Sequence, residues 1–369
     1  MKEDITIYPP IMSLCYILSE LKYKVVYIGA CSSDVTKKEL DDLEIKSYIQ
    51  PIYNGNALVR LKQQLSFRYN VKKIIKSEYD ENSTLWIVNY ETLILFSSLL
   101  DSHKFVAHLL EFRDVKLSIG YRLLAPFFSY KKKLKYAKKV ICCEYNRAQI
   151  TKYLFQLKEI PVVLPNKLYT NNIIKENLPE DVLNIISKYQ NRKIILYQGA
   201  FQPERKLDDF ILAMDLLPKD YVLFLMGPIN KYNKALREKY VKDNVVFVPF
   251  IPSPLHLCIT KLAYIGILSY IPQPNNIGTV INALYCAPNK IYEYSRFSIP
   301  MIANEVPALK YAFLESRAGI CVENLAPEYI RDSILYIDEK YENFSRDSKL
   351  LYDRIDLKKI VESVVNSIT

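Results

Sequence analysis

What this 369-residue sequence lacks excludes several classes of protein at once. No run approaches the roughly 18 uninterrupted apolar residues that a membrane-spanning helix requires. The eight glycines (29, 55, 120, 199, 227, 266, 278 and 319) are too dispersed for a Gly-x-Gly-x-x-Gly fingerprint or a Walker A loop, which disfavours dehydrogenases and P-loop NTPases. There is no Asp-x-Asp, the short acidic motif that holds a divalent cation on a diphosphate. With three histidines and seven scattered cysteines (15, 31, 142, 143, 258, 286, 321) and no Cys-x-x-Cys, there is no zinc framework. The odd cysteine count points to reduced thiols in a cytosolic protein. The start, Met1 to Asp4 and then Pro9-Pro10, does not read as a signal peptide.

Half of the chain is apolar and 24% is charged, which excludes a disordered polymer. Its length suggests two domains. Fifty basic and 40 acidic residues leave +10, and most of that excess sits in one place. Between Arg113 and Lys139 there are nine cations and one anion, a net +8 in 27 residues. Arg122, Lys131, Lys132, Lys133 and Lys135 alternate there with Leu123, Phe127, Phe128, Tyr130 and Tyr136. Cations laced with rings suit an anionic membrane surface. The same residues would also make a solvated helix with one buried face. No signature of nucleic-acid recognition accompanies them, so no nucleic-acid partner is expected.

Strand-like apolar runs alternate with helical patterns, the signature of parallel α/β sheets. Strands are expected near 24–29, 85–89, 104–108, 139–143 and 161–164. After a polar stretch at 170–192 they resume near 193–198, 221–226, 244–248, 263–269, 299–303 and 319–322. Two doubly wound, Rossmann-like domains follow. The first spans 1–175 and adds an amphipathic helix at 356–369; the second spans 190–352.

In the second domain the first strand ends at Gln198-Gly199, and Arg205-Lys206 follow at the mouth of the loop. A glycine there lets backbone approach a bulky ligand, and the two cations suit phosphate oxygens. Further on, Pro288 is expected in the first turn of a helix. This would leave the N–H groups of Asn289 and Lys290 open as an anion site, with Glu293 one turn on, able to hold a ribose diol. In the first domain, His108 and Glu111 stand at a strand end, where polar groups can meet an acceptor. A buried His and a Glu paired with Arg113 is the plainer alternative.

On these residues the chain resembles the retaining glycosyltransferases of the GT-B fold, in particular family-four members that build bacterial capsule and exopolysaccharide. The matching stretches are Leu196-Tyr-Gln-Gly-Ala200 with Arg205-Lys206-Leu207, Leu223-Phe-Leu-Met-Gly-Pro228, Val246-Phe-Val-Pro-Phe-Ile-Pro252, Ala287-Pro-Asn-Lys-Ile-Tyr-Glu-Tyr294 and Pro300-Met-Ile-Ala303. The resemblance implies two Rossmann-like domains facing a cleft, with the last helix crossing back to the N-terminal domain. It also implies a nucleotide-sugar donor, UDP-linked by preference, and no cofactor or metal. Glu293 would take the ribose, Arg205 and Lys206 the diphosphate, and the amides of Asn289 and Lys290 would complete that site. Gly199 and Gly227 would border the donor, and Phe250 and Ile251 would flank the base. The acceptor would be lipid-linked or a glycan, met by His108 and Glu111 at the cytoplasmic face of the membrane. Tyr285 stands where the family often has a first glutamate, and the usual glycine-rich turn after the first strand reads Ile7-Tyr8-Pro9-Pro10. A non-catalytic partner subunit of the same shape and a sugar-nucleotide epimerase are the alternatives.

Overall fold

The computed structural model describes residues 1–51, 56–113, 117, 119–169, 178–274 and 276–368. The chain divides into two compact units, Met1–Tyr169 with Asp356–Thr369, and Thr170–Ile355. The boundary lies at the start of the expected polar stretch. Residues 170–177 fall outside the described set, and the rest of that stretch contains an unexpected helix, Glu180–Tyr189.

Among the described residues the first unit has six parallel-paired strands: β1 (Val26–Gly29), β2 (Lys46–Ile49), β3 (Leu85–Val88), β4 (Phe105–Leu109), β5 (Lys139–Cys142) and β6 (Val162–Val163). They do not form the single sheet expected from the pattern. Among the described residues β1 pairs as a strand only with β2, while β3 to β6 make a separate sheet in sequence order. The last helix, Leu357–Asn366, belongs to this unit; its Lys358 Nζ lies 2.9 Å from Glu20 Oε2 on the helix Pro9–Glu20. Its apolar stripe, Leu357, Val361, Val364 and Val365, is buried, as its helical spacing requires.

Among the described residues the second unit's strands are β7 (Lys193–Gln198), β8 (Tyr221–Met226), β9 (Val245–Val248), β10 (Ile265–Leu268), β11 (Met301–Asn304) and β12 (Gly319–Val322). They form a six-stranded parallel sheet ordered β12-β11-β10-β7-β8-β9. β8 reads Tyr-Val-Leu-Phe-Leu-Met and is buried throughout, because helices cover both faces of a parallel sheet. Its residues alternate between two cores. Leu223 and Leu225 join Ile195 and Tyr197 on one face, while Val222 and Phe224 join Ile194 and Leu196 on the other. The strand order reverses between β7 and β10. A ligand of such a sheet lies in the crevice beyond the carboxyl ends at this switch point. None of the seven cysteines forms a disulfide.

Candidate functional site

Gln198 ends β7 at the switch point and Gly199 follows it, and Ser269 and Tyr270 follow β10 beside them. Gly199 has φ +130°, a conformation that side chains resist, and a Cβ there would press on Lys290 Cε. Gly227, just after β8, is packed against the same bend: a Cβ on it would collide with the Gly199 carbonyl oxygen and the Phe201 ring. The obstacle is backbone, which cannot swing aside. Gly227→Ala should therefore cost about 2–4 kcal/mol in urea unfolding; an unchanged midpoint would refute this close approach.

The loop after Gly199 makes a short turn, Pro203–Arg205, and Lys206 adopts a left-handed conformation before the helix Leu207–Ala213. This turn sends Arg205 and Lys206 in different directions. Arg205 Nη1 donates to the Ser269 carbonyl at 2.9 Å, and its guanidinium lies 4.2 Å over the Tyr270 ring. Tyr270 is itself pinned by Asn304 at the end of β11, which accepts from its N–H at 2.6 Å and donates to its carbonyl at 3.1 Å. Lys206 is exposed.

Lys290 lies on the helix Asn289–Arg296, its Nζ 4.5 Å from the Tyr197 ring centre and 5.4 Å from that of Tyr270. Arg205 and Lys290 thus share one aromatic wall. Burial, and then the charge of Arg205, lowers the Lys290 ammonium to about 7. The two cations oppose each other's charge, while the Glu293 carboxylate acts on Lys290 in the opposite sense. Pro288 is the N-cap of this helix rather than a residue of its first turn, because its ψ of 136° is extended. No side chain caps the helix start, so Asn289 and Lys290 still open it without a protein acceptor from the cap.

Glu293 is buried, not solvated. Its Oε2 accepts from Gln198 Nε2 at 2.5 Å, and its Oε1 lies 3.3 Å from His256 Nε2. Gln198 in turn accepts from Thr260 Oγ1 at 2.8 Å. Burial pushes the Glu293 carboxyl up, but His256, Gln198 and Lys290 together outweigh it, and the net shift is downward. Glu293 is therefore a fixed carboxylate, and each oxygen keeps acceptor capacity beyond the bond it already makes. Phe250 is 60% exposed, whereas Ile251 is turned into the core and offers only backbone to a ligand. Tyr285 ends the helix Ile277–Leu284.

In the first unit, His108 lies on β4 and is fully buried. Its Nδ1 accepts from Trp86 Nε1 at 3.3 Å, and burial lowers its pKa to about 4. It is a neutral interior histidine, the plainer of the two expectations. Glu111 is exposed and lies 3.5 Å from Arg113, which also reaches Glu91. In the basic stretch, Lys133 is tied to Asp101 at 2.5 Å. Arg122, Lys131, Lys132 and Lys135 are exposed, and so are Leu123 (73%), Phe127 (95%) and Tyr136 (69%). Asp114 and Lys116 lie outside the described residues.

Sequence reasoning assigned no role to Tyr197, Tyr270, His256, Thr260 or Gln198. Gln198 and Tyr197 stood inside a quoted motif. Tyr270 and His256 gain their meaning from strand order and a distant contact, which no local pattern carries.

The chain matches no protein-family model and no curated protein. It does share its fold with solved structures. HepE from Anabaena, in complex with UDP and glucose, superposes with a TM-score of 0.65 at 16% identity, over 96% of this chain and 94% of that one. A glycosyltransferase from Rickettsia africae gives 0.68 at 15% identity, over 98% and 93%. A candidate UDP-N-acetylglucosamine 2-epimerase from Listeria monocytogenes gives 0.60 at 9% identity, over 93% and 88%. At these identities the likeness is one of architecture, and that architecture is the GT-B fold with its two Rossmann-like domains.

Proposed function

We propose that this chain is a retaining, metal-independent glycosyltransferase. In this reading it moves a sugar from a UDP-sugar to a lipid-linked or glycan acceptor in the synthesis of a bacterial surface polysaccharide. One observation carries the reading: Arg205 and Lys290 stack on Tyr270 beside Gly199, at the switch point, next to an uncapped helix start. That set supports a pyrophosphate as the ligand. HepE, of the same fold, is solved with UDP.

As the glycosidic bond breaks, negative charge collects on the departing diphosphate. Fixed cations and oriented amides lower that barrier without reorganising. The acceptor oxygen bonds to the anomeric carbon on the face the diphosphate leaves, and its proton passes to a diphosphate oxygen. Glu293, held by Gln198 and His256, accepts from the two ribose hydroxyls. Lys206, exposed at the loop, adds charge to the diphosphate. Phe250 flanks the base. Glu111 orients the acceptor; His108, enclosed and neutral, supports the strand beneath it.

The protein would work at the cytoplasmic face of the membrane. No helix among the described residues is long and apolar enough to cross a bilayer. The exposed surface formed by Arg122, Phe127, Lys131, Lys132 and Lys135 supplies rings and charge for docking to anionic lipid. Near an anionic surface each lysine is worth about 1 kcal/mol. Replacing Lys131, Lys132 and Lys135 by Glu should therefore reduce co-sedimentation with phosphatidylserine vesicles by about 100-fold or more; undiminished sedimentation would refute the docking surface.

The shared architecture with a candidate epimerase keeps that activity as a second reading. Incubation with a panel of UDP-sugars separates the two. UDP release that depends on a membrane or glycan acceptor supports transfer, whereas acceptor-independent inversion of a UDP-N-acetylhexosamine supports epimerisation.

A further inference from the structure

β10 ends at Leu268, which pairs with Ala303, while β11 continues to Asn304. Past Leu268 the main-chain ladder between the two strands stops, and the Asn304 side chain takes its place. Its Oδ1 accepts from the Tyr270 N–H at 2.6 Å, and its Nδ2 donates to the Tyr270 carbonyl at 3.1 Å. Asn304 is 4% exposed, so the amide is enclosed as well as bonded. A planar amide offers an acceptor and a donor together; an ionised Asp only accepts, and an apolar side chain does neither. Without it a main-chain N–H and C=O would lose their partners at the end of the strand.

The neighbouring residues tie the same loop to the one after β7. The Ile271 N–H donates to the Glu204 carbonyl at 3.0 Å, and Arg205 Nη1 donates to the Ser269 carbonyl at 2.9 Å. The two loops are thus laced on either side of Tyr270, and Asn304 fastens Tyr270 itself to β11. The Tyr270 ring then lies 4.2 Å from the Arg205 guanidinium and 5.4 Å from Lys290 Nζ. One ring therefore governs where two cations from different elements stand. The Lys290 ammonium is also faced by Tyr197 on β7, by Glu293 on its own helix and by Cys286 just before that helix. Burial and Arg205 lower its pKa, whereas Glu293 and Cys286 act to raise it.

We infer that Asn304 is a positioning residue of the donor site: by bracketing the main chain of Tyr270, it sets the ring on which Arg205 and Lys290 are aligned. It acts through Tyr270 and makes no contact with a ligand of its own, in the way a supporting shell fixes the groups that do. The alignment of the cations follows from the geometry alone; its effect on ligand binding rests on the donor-site reading above.

The test uses Asn304→Ala, Asn304→Leu, Tyr270→Leu and the double variant Tyr270→Leu with Asn304→Leu, each in the full chain. Alanine leaves space and leucine fills it, so an effect common to both belongs to the lost hydrogen bonds. In the ligand-free protein the Lys290 amine is titrated by NMR of isotope-labelled lysine, its signal assigned by its loss in Lys290→Met. Loosening the ring admits water and frees Arg205 to move away, so the Lys290 pKa should rise from about 7 by roughly one unit or more in both Asn304 variants. Calorimetry should show UDP bound about tenfold more weakly by both. Tyr270→Leu removes the ring and keeps the main chain; on that background Asn304→Leu should change UDP affinity by less than about twofold. A Lys290 titration and a UDP affinity both unmoved in the folded variants would leave Asn304 a structural role only and overturn the inference. So would a further tenfold loss on the Tyr270→Leu background, which would mean a route other than the ring. A raised Lys290 pKa in the variants, with no UDP bound even by the wild type, would uphold Asn304 and overturn the donor reading instead.

Discussion

Replacing Lys290 with Met should lower affinity for a UDP-sugar by about 30- to 150-fold, the ~2–3 kcal/mol typical of a charge-assisted contact in a desolvated site. A second signature accompanies the loss. The free ammonium is lowered to about 7 by burial and by Arg205. A UDP-sugar carries a pyrophosphate diester whose charge is constant across neutral pH, so the titrating group belongs to the protein. The bound anion favours the charged amine, and above pH 7 binding therefore takes up a proton. Affinity is greatest below pH 7 and falls as pH rises, approaching tenfold per unit between the free and the bound pKa. The Met variant should lose that slope. Calorimetry at pH 6, 7, 8 and 9 measures both effects, and a wild-type affinity flat over this range would remove Lys290 from the diphosphate site.

The second large effect is expected at Glu293. The carboxylate is buried and already braced by Gln198 and His256, so a change in stability alone would not reveal its role. The informative comparison uses two ligands. In Glu293→Gln the affinity for UDP should fall about 30-fold, near 2 kcal/mol. Inorganic pyrophosphate, which has no ribose, should bind within about twofold of wild type, since its cations and helix start are untouched. If both ligands weaken together, Glu293 organises the loop and does not read the sugar.

These expectations also show how much the sequence made legible. The strands of the second unit were readable because β8 is a continuous apolar run of six residues and β7 carries the run Ile194–Tyr197, as buried parallel strands must. Arg205, Lys290 and Glu293 were readable because each stands at a strand end or a helix start with chemistry suited to a diphosphate or a diol. β2 was missed: Lys46–Ile49 is four residues long and none is buried, so it carries no apolar signal. The helix Glu180–Tyr189 was hidden in a polar stretch, since only Val182 and Tyr189 are buried. The separation of β1 from β3 was invisible because pairing is a long-range property. For the same reason Tyr270 was passed over: it reaches Arg205 and Lys290 only because β10 lies beside β7 in the sheet.

Arg205 differs from Lys290 in being fixed at both ends of its function. It is stacked on Tyr270 and bonded to the Ser269 carbonyl, so its planar fork is oriented before any ligand arrives. A lysine at this position would keep the charge and lose the orientation.

The central claim is that cations of the protein, and no metal, hold the diphosphate of a uridine nucleotide at the β7–β10 switch point. Calorimetric titration with UDP in excess EDTA tests it most directly, on the wild-type chain and on a variant with Arg205→Ala and Lys290→Ala together. The account predicts one micromolar site in the wild type, insensitive to added magnesium, and no measurable binding in the variant. Binding that requires magnesium, or that survives in the variant, would contradict it.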